Sequence, residues 1–253
     1  ELITWADAEI TQHLQDDALP LPSSRWRANG FALTTTAFAT AVSGEPVLFV
    51  RYRIENEGDA PRAMRFFCAL RPFQVNPPWQ AFRGLGGACA VGELRWYAGA
   101  VWVDERKPVI PLDEPSGFGA AAFEQGGVMR SLERGELPPR DRVSDAFRHA
   151  SGALRFDLEL APGAAREYFV AAPFGAHDPA RADFAALLRI GGAAQFESAT
   201  AAWREKLGRL GLRVGDAGVL ASIGADGGVR QLELVERAGH GFDEEALLAA
   251  RRL

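Results

Sequence analysis

Alternation of apolar and polar side chains, the pattern of half-buried β-strands, recurs through the first 175 residues of the chain. Residues 47–54 begin apolar and then alternate with Arg51 and Arg53, which predicts a strand with one buried and one wet face. Residues 152–160 (GALRFDLEL) alternate along their whole length. Further strands are predicted in the same way at 31–37, 65–71, 94–97, 100–104, 119–123 and 167–172.

Turn-forming residues separate these strands. Residues 56–59 (NEGD) tolerate the dihedral angles of a tight reversal, so we expect strands 47–54 and 65–71 to form a hairpin. Pro162-Gly163 predicts a second reversal before residues 167–172. Many short strands joined by turns indicate a mainly β fold, and we predict a large antiparallel β-sandwich over residues 1–175.

Helical spacing replaces the alternation after Pro173. Asp178 followed by Pro179 predicts an N-cap, with helices over 180–190 and 194–209. Residues 176–213 are therefore expected to be a helical linker packed on the sandwich or leading out of it.

The last 39 residues form a third segment, 215–253. It predicts strands at 218–223 and 229–235 around a hairpin turn at 226–228. Asp243 is expected to cap a helix that runs to Leu253, which completes a small β-β-α unit.

Composition and charge narrow the classes of protein. Of the 253 residues, 47% are apolar and 24% charged, as in globular domains, and the net charge is -5. Because no basic cluster stands apart from its acids, we expect no nucleic-acid partner. The absence of an apolar run long enough to span a bilayer predicts no membrane span. The sequence shows no signal peptide, and because Glu1 is not a methionine we expect a trimmed start that has lost any upstream targeting segment.

The usual signatures of cofactors, metals and catalysis are missing from the sequence. The four histidines are scattered, and Cys68 and Cys89 form no CxxC pair, so no cofactor and no metal site is predicted. The two cysteines form either a disulfide or two buried thiols. The acid pairs in presumed loops have no spacing that forces two carboxylates into one pocket, so no catalytic residue is assigned. These pairs are Asp104-Glu105, Asp113-Glu114 and Asp141/Asp145.

The segment 71–80 (RPFQVNPPWQ) is the best candidate for a ligand surface. Aromatic rings stack on sugars, and amide side chains hydrogen-bond hydroxyl groups in both senses. The alternative is that Trp79 fills the core beside the rigid Asn76-Pro77-Pro78 corner, and that Arg71 pairs with an acid. The predicted glycan contacts are Trp79, Phe73, Gln74, Asn76 and Arg71.

Residues 1–213 resemble the β-supersandwich region of bacterial six-hairpin glycosidase-like proteins, which often accompanies a discoidin-type sugar-binding module. The resemblance implies a sandwich that precedes an α/α-toroid holding the catalytic carboxylates, in a periplasmic or secreted protein. It ends near Val214, before a toroid. The segments that carry it are 2–7 (LITWAD), 19–23 (LPLPS), 69–80 (ALRPFQVNPPWQ), 135–138 (GELP), 150–154 (ASGAL) and 203–207 (WREKL).

Residues 215–253 are similar to the TonB C-terminal domain, which pairs its sheet edge with an outer-membrane receptor segment. The similarity implies a periplasmic interaction module, although the final strand of that domain is absent. It is carried by 224–229 (GADGGV), 234–240 (LVERAGH), 242–247 (FDEEAL) and 250–253 (ARRL).

Three functions follow as hypotheses. The preferred one is a non-catalytic accessory sandwich of a carbohydrate-active protein, which packs against the adjacent catalytic toroid and contacts glycan. The second is a TonB-like module that binds a receptor peptide by β-strand addition. The third, a free-standing glycosidase, is disfavoured by the missing toroid.

Overall fold

The structure, a computed structural model, describes residues 2–76, 87–208, 219–223 and 229–234. Within these ranges the chain is mainly β, as predicted, and it divides into two compact units, Glu1–Thr200 and Ala201–Leu253. The strands of the first unit are β1 (Glu9–Gln15), β2 (Leu19–Ala28), β3 (Phe31–Val42), β4 (Glu45–Asn56), β5 (Arg62–Leu70), β6 (Phe73–Asn76), β7 (Gly87–Cys89), β8 (Glu93–Tyr97), β9 (Ala100–Val103), β10 (Lys107–Pro111), β11 (Gly117–Ala121), β12 (Arg142–Ser144), β13 (Ser151–Leu160) and β14 (Ala165–Pro173). The helices are α1 (Met129–Leu132), α2 (Ala182–Leu187) and α3 (Gly192–Gly208), with a 3-10 helix at Phe123–Gln125.

Two antiparallel sheets form the sandwich. The large sheet has nine strands in the order β1-β2-β3-β4-β14-β10-β9-β8-β12, and the small sheet has the order β11-β13-β5. Strands β6 and β7 pair separately. The predicted strands are all present, whereas β1, β2, β6, β7, β10 and β12 lie in segments for which the alternation predicted no strand.

The core between the two sheets is built from every second residue of each strand, since alternate side chains point inward. Phe156 of β13 is 2% exposed and lies 4.5 Å from the ring of Tyr168 on β14. Phe66 of β5 lies 5.0 Å from Tyr52 of β4. The other buried members of this cluster are Ile54, Cys68, Val91, Leu94, Val101, Ala120, Val143, Ala150, Leu154, Leu160 and Val170.

The predicted hairpin between residues 47–54 and 65–71 is wrong. Strand β4 pairs with β3 and β14 in the large sheet, whereas β5 pairs with β13 in the small sheet. The reversal at Pro162-Gly163 likewise leads from β13 to β14, which lie in opposite sheets. Both turns are therefore corners at which the chain changes layers.

Asn56 holds these two corners together. Its side chain is buried, donates to the carbonyl groups of Ala60 (2.8 Å) and Leu160 (3.0 Å), and accepts from the Gly58 amide (3.0 Å). Its backbone carbonyl accepts from the amide of Gly163 at 2.9 Å. One buried amide thereby satisfies backbone groups on both crossing segments, which explains an asparagine at this position.

The alternation of β4 predicted that the face of the large sheet turned away from the core is exposed to water. Part of this face is instead covered by α3. Phe196 of α3 packs edge-on against Phe38 at 5.4 Å, and the Arg51 guanidinium lies 4.5 Å from the Phe196 ring centre. A Cβ atom at Gly192 would overlap the Phe169 ring, so only glycine allows this close approach. The first half of α3 therefore covers this part of the sheet.

Beyond the helix this face carries a row of charges. Arg25 pairs with Glu55 (2.7 Å) and Glu57 (2.8 Å), and Arg53 also pairs with Glu55. Such half-exposed pairs each stabilise a fold by about 0–1 kcal/mol, so the row keeps the face polar more than it holds the sheet together.

The predicted cap of the first helix is also wrong. Asp178 accepts a hydrogen bond from the amide of Ala180 (2.9 Å), which closes a local turn, and Arg181 is the N-cap of α2. Phe184 of α2 is buried and lies 4.9 Å from the Trp102 ring.

In the second unit, β15 (Val219–Ile223) and β16 (Val229–Leu234) pair antiparallel, as predicted, and the predicted turn at 226–228 lies outside the described residues. The predicted helix at 244–253 and its Asp243 cap lie outside the described residues. The three-part division at 1–175, 176–213 and 215–253 stays a prediction.

The two cysteines differ in their surroundings. Cys68 is a buried free thiol beside the Tyr52 hydroxyl, and burial raises its pKa. Cys89 is also free but exposed, so neither the disulfide nor the pair of buried thiols is found.

Candidate functional site

The sandwich is open along one side because its sheets differ in width. The small sheet spans the large one from β8, where Trp96 stacks on Phe118 at 6.1 Å, to β4, where Tyr52 meets Phe66. Strands β1, β2 and β3 extend beyond that limit, and no described strand pairs with the outer edge of β5. The result is a groove between β2–β3 and β5, which forms part of a cavity of about 1530 Å³ that also extends over the face of β5 turned away from the large sheet.

Apolar side chains form much of the groove lining. On the large sheet these include Trp26, Phe31 and Leu33, and on β5 they include Met64 and Phe66. The same Leu33, Met64 and Phe66 pack against the buried core and are only partly buried. The groove therefore reaches the end of the hydrophobic core where a further strand would close it.

The first residues of the chain pass along this open side. Leu2 packs with Phe67 in the cluster around α1, whereas Glu9 opens β1 and pairs with Arg27 in the large sheet. Between these points Thr4 donates its amide (2.8 Å) and its hydroxyl (2.7 Å) to the Asp7 carboxylate, while the Asp7 amide donates to the Thr4 carbonyl.

That turn presents an aromatic residue to solvent. Trp5 follows Thr4, lines the groove and is 68% exposed. The hydrogen bonds, first from the Thr4 hydroxyl and then from its amide, hold the pKa of Asp7 below its usual value. The ionised Asp7 thus fixes the backbone on both sides of Trp5.

Charged groups of both signs border the lining on the face of the small sheet that is turned away from the large sheet, where Asp157 is the cross-strand neighbour of Arg65, and Arg155 that of Phe67. Asp157 lies 3.2 Å from Arg155 and 3.9 Å from Arg65, and Arg65 also donates to the Gly135 carbonyl at 2.8 Å. Arg71 forms no ion pair or hydrogen bond with the part of the chain that the structure describes. The charged lining residues are Arg65, Arg71, Arg134, Arg155, Glu133, Asp157 and Glu159.

Two of the five predicted glycan contacts line this groove. Arg71 is exposed between β5 and β6, and Phe73, the first residue of β6, is 62% exposed. Gln74 and Asn76 lie in β6, where the structure describes the backbone alone, and Trp79 lies outside the described residues. All five glycan-contact assignments stay predictions.

Trp5 and Trp26 were missed as groove residues from sequence. Trp5 lies in the segment 2–7 on which the family resemblance rests, and Trp26 falls in β2 among the alternating residues 23–28. Either signal marks an aromatic residue, but only the folded chain brings both into the lining that also includes Phe73.

One acid of each loop pair binds backbone amides. Asp104 accepts from the amides of Gly92 (2.8 Å) and Glu93 (2.9 Å), and Asp113 accepts from the Phe169 amide (3.0 Å). Each hydrogen bond links two separate segments of the chain, so these carboxylates stabilise the fold.

The Asp145 carboxylate is bound by three backbone amides. It accepts from the amides of Phe123 (2.6 Å), Phe147 (2.9 Å) and His149 (3.1 Å). The amides of Phe123, then His149 and Phe147, hold its pKa below the usual value, since they stabilise the ionised form. Asp145 thus joins the 3-10 helix to the loop before β13.

The described ranges contain no group of three His, Cys, Asp or Glu side chains placed to hold a metal ion. None of their helices is both long and apolar enough to cross a bilayer.

In comparisons with known proteins, no family model matches the chain and no curated protein matches it. The chemistry of the groove therefore carries the functional proposal.

Proposed function

We propose that this chain is a non-catalytic accessory sandwich of a carbohydrate-active protein, which packs on a catalytic α/α-toroid and contacts glycan. The observation that carries the glycan contact is the groove lined by Arg71, Phe73, Trp5 and Trp26. The resemblance of residues 1–213 to the supersandwich region supports the packing role and a periplasmic or secreted location.

The lining suits sugar chemistry for two reasons. The face of an aromatic ring stacks on the C–H face of a sugar, and such contacts exclude water from both surfaces. Guanidinium groups donate hydrogen bonds and carboxylates accept them, so Arg71 and Asp157 together match hydroxyl groups, which do both.

A matched pair of exposed phenylalanines tests the glycan contact. Phe73→Ala removes a groove ring, whereas Phe174→Ala removes a ring that is equally exposed, at 61%, and does not line the groove. A glycan array on the intact chain should identify a bound sugar. Its affinity should then fall by about 1 kcal/mol in Phe73→Ala and stay unchanged in Phe174→Ala.

Trp79→Ala extends the same test to the predicted contact outside the described residues, and we expect a loss of similar size. If no glycan binds the intact chain, the sugar contact is refuted and the packing role alone is left.

The β15–β16 hairpin favours a second candidate function, a TonB-like module that acts by strand addition. Among the described strands neither β15 nor β16 has a further partner, so the hairpin offers sheet edges to an extended peptide. Titration of the isotopically labelled chain with an outer-membrane receptor peptide should shift the resonances of residues 219–234. A titration without shifts there would refute this function.

A further inference from the structure

We propose that β1 is a dimerisation strand, which pairs antiparallel with β1 of a second copy of this chain about a twofold axis at Gln12. This inference goes beyond the proposed function and does not depend on it. Two copies joined in this way share one continuous sheet, in which the two nine-stranded sheets meet edge to edge.

The free edge of β1 lacks the features that normally keep strands of different chains apart. Among the described strands only β2 pairs with β1, so the second edge of β1 presents unpaired N–H and C=O groups. Natural edge strands are usually short, or are interrupted by proline, lysine or a bulge. Strand β1 has seven residues without proline or lysine, and its register shift lies at its very end, between Leu14 and Gln15.

The opposite edge of the same sheet is protected in the usual way. It is formed by β12, which has only three residues, and its exposed Arg142 pairs with Glu93 at 2.9 Å. In β1, by contrast, Glu9 at the end of the strand is the only acid, and there is no arginine. Neither short length nor charge therefore prevents β1 from pairing with another chain.

The same strand exposes two apolar side chains. Ile10 and Leu14 are 39% and 41% exposed, and their neighbours on β2 are Trp26 and Pro22. Trp26 in turn pairs with Leu33, which packs against the core. Because cross-strand neighbours share a face, the inward apolar face of the large sheet continues to β1 and ends there exposed.

The sequence of β1 is complementary to itself in one antiparallel register. With Gln12 opposite Gln12 of the second copy, all seven residues have a partner on the other strand and no like charges face each other. A shift by two residues in either direction leaves two residues of β1 without a partner and separates the apolar pairs. The other opposite pairs, each formed twice, are Ile10 with Leu14, Thr11 with His13, and Glu9 with Gln15.

This self-complementarity favours a second copy over an unrelated peptide. Apolar side chains directly opposite each other on one face stabilise paired strands, and here each copy supplies both members of the pair. A twofold contact also closes on two copies, so it satisfies both free β1 edges at once.

The test is sedimentation velocity of the whole chain from about 1 to about 200 µM, because association through a small interface depends on concentration. We expect monomer to convert to dimer, without larger species. Gln12→Lys and Gln12→Glu each place like charges opposite each other across the axis, and each should weaken dimerisation about three- to tenfold. An equimolar mixture of the two variants should restore the dimer, because lysine then faces glutamate.

Gln15→Lys is the matched control. It adds the same charge to the same strand, but in the proposed register the lysine faces Glu9 of the second copy, so dimerisation should not weaken.

A disulfide tests the register itself. In a Cys89→Ser background, Gln12→Cys places two thiols opposite each other and should give a covalent dimer under mild oxidation. Gln15→Cys should not, because its two copies would lie about 20 Å apart along the strands.

A chain that stays monomeric throughout would overturn the inference, whether the β1 edge is free or covered by another part of the chain. A dimer that Gln12→Lys does not weaken, or that the Lys and Glu mixture does not restore, would also overturn it, because such a dimer uses another surface. Mixing keeps the test valid, since it would not repair a folding defect in either variant.

Discussion

The closed middle of the sandwich and its open side belong to the same two sheets, yet they differ in what faces their strands. In the middle, β13 lies between β11 and β5 and faces β14, so Phe156 is almost completely enclosed. At the open side, β2 and β3 face no strand of the small sheet, and Phe66 and Leu33 border a groove. The difference teaches that unequal sheet width, nine strands against three, creates the candidate site without any inserted domain.

The largest expected contrast is in the reactivity of the two thiols. Cys68 lies in the closed core, and it should react with a maleimide only when the fold opens. For a domain stable by about 5 kcal/mol or more, that slows labelling at least about a thousandfold relative to an exposed thiol such as Cys89.

Mass spectrometry of the native chain should therefore show one label added rapidly, at Cys89. Rapid labelling of both cysteines, with circular dichroism unchanged, would contradict the closed core. Cys89→Ser is the control that isolates the slow reaction of Cys68.

The second contrast is in the energetics of two phenylalanines. Phe156→Ala should lower the free energy of unfolding by about 3–5 kcal/mol, because it leaves a cavity in the middle of the sandwich. Phe66→Ala should cost about half as much, since its ring already borders the open groove.

Urea unfolding followed by far-UV circular dichroism measures both values. Equal losses for the two variants would mean that the side near β5 is as closed as the middle.

The corner at Asn56 tests how the two layers are joined. Asn56→Ala leaves the carbonyl groups of Ala60 and Leu160 without their donor, and we expect a loss of about 2–3 kcal/mol. Asn56→Asp should be similarly damaging, since a carboxylate cannot donate and would be buried beside carbonyl oxygens. Denaturant unfolding measures both, and stability unchanged in Asn56→Asp would refute the assigned hydrogen bonds.

Lowering the pH should reduce the contribution that Asp145 makes to the unfolding free energy. Because its folded-state pKa is depressed, its contribution is present above the unfolded-state pKa of about 4 and is lost as pH falls through the folded value. Unfolding free energies measured from pH 6 to pH 2 should fall less steeply for Asp145→Asn than for the parent chain. The control is Asp59→Asn, at an exposed turn residue, and an identical acid slope in all three chains would contradict this role.

The smallest expected effect on stability is at the groove rim. Trp5→Ala removes a mostly exposed ring and should change the unfolding free energy by less than about 0.5 kcal/mol. A much larger loss, measured by denaturant unfolding, would show that Trp5 serves the fold and would remove it from the ligand surface.

Local pattern was enough to predict most of the strands but not their pairing. Residues 47–54 and 152–160 alternate, so β4 and β13 follow from period alone. The signal at 56–59 identified a turn, but a turn does not specify whether the next strand joins the same sheet. That choice depends on Asn56 bonding to Leu160, 104 residues away in sequence.

The failure to predict β2 has a cause in its own sequence. Pro20 and Pro22 in β2 disfavour a strand prediction, yet the pairing of β2 with β3 begins only at Ser23. Of the candidate site, Arg71 and Phe73 were predicted from the composition of one segment. Trp26 and the groove itself arise where distant strands meet, so no window of sequence contains them.

Hydrogen–deuterium exchange tests the open groove most directly. Without ligand, the peptide covering β5 should exchange faster than the one covering β13, because β5 is an edge strand. A saturating oligosaccharide that binds the chain should then slow exchange at residues 26–33 and 63–71 and leave 151–160 unchanged. Equal protection of β5 and β13 without ligand, or ligand protection confined to other residues, would contradict the account.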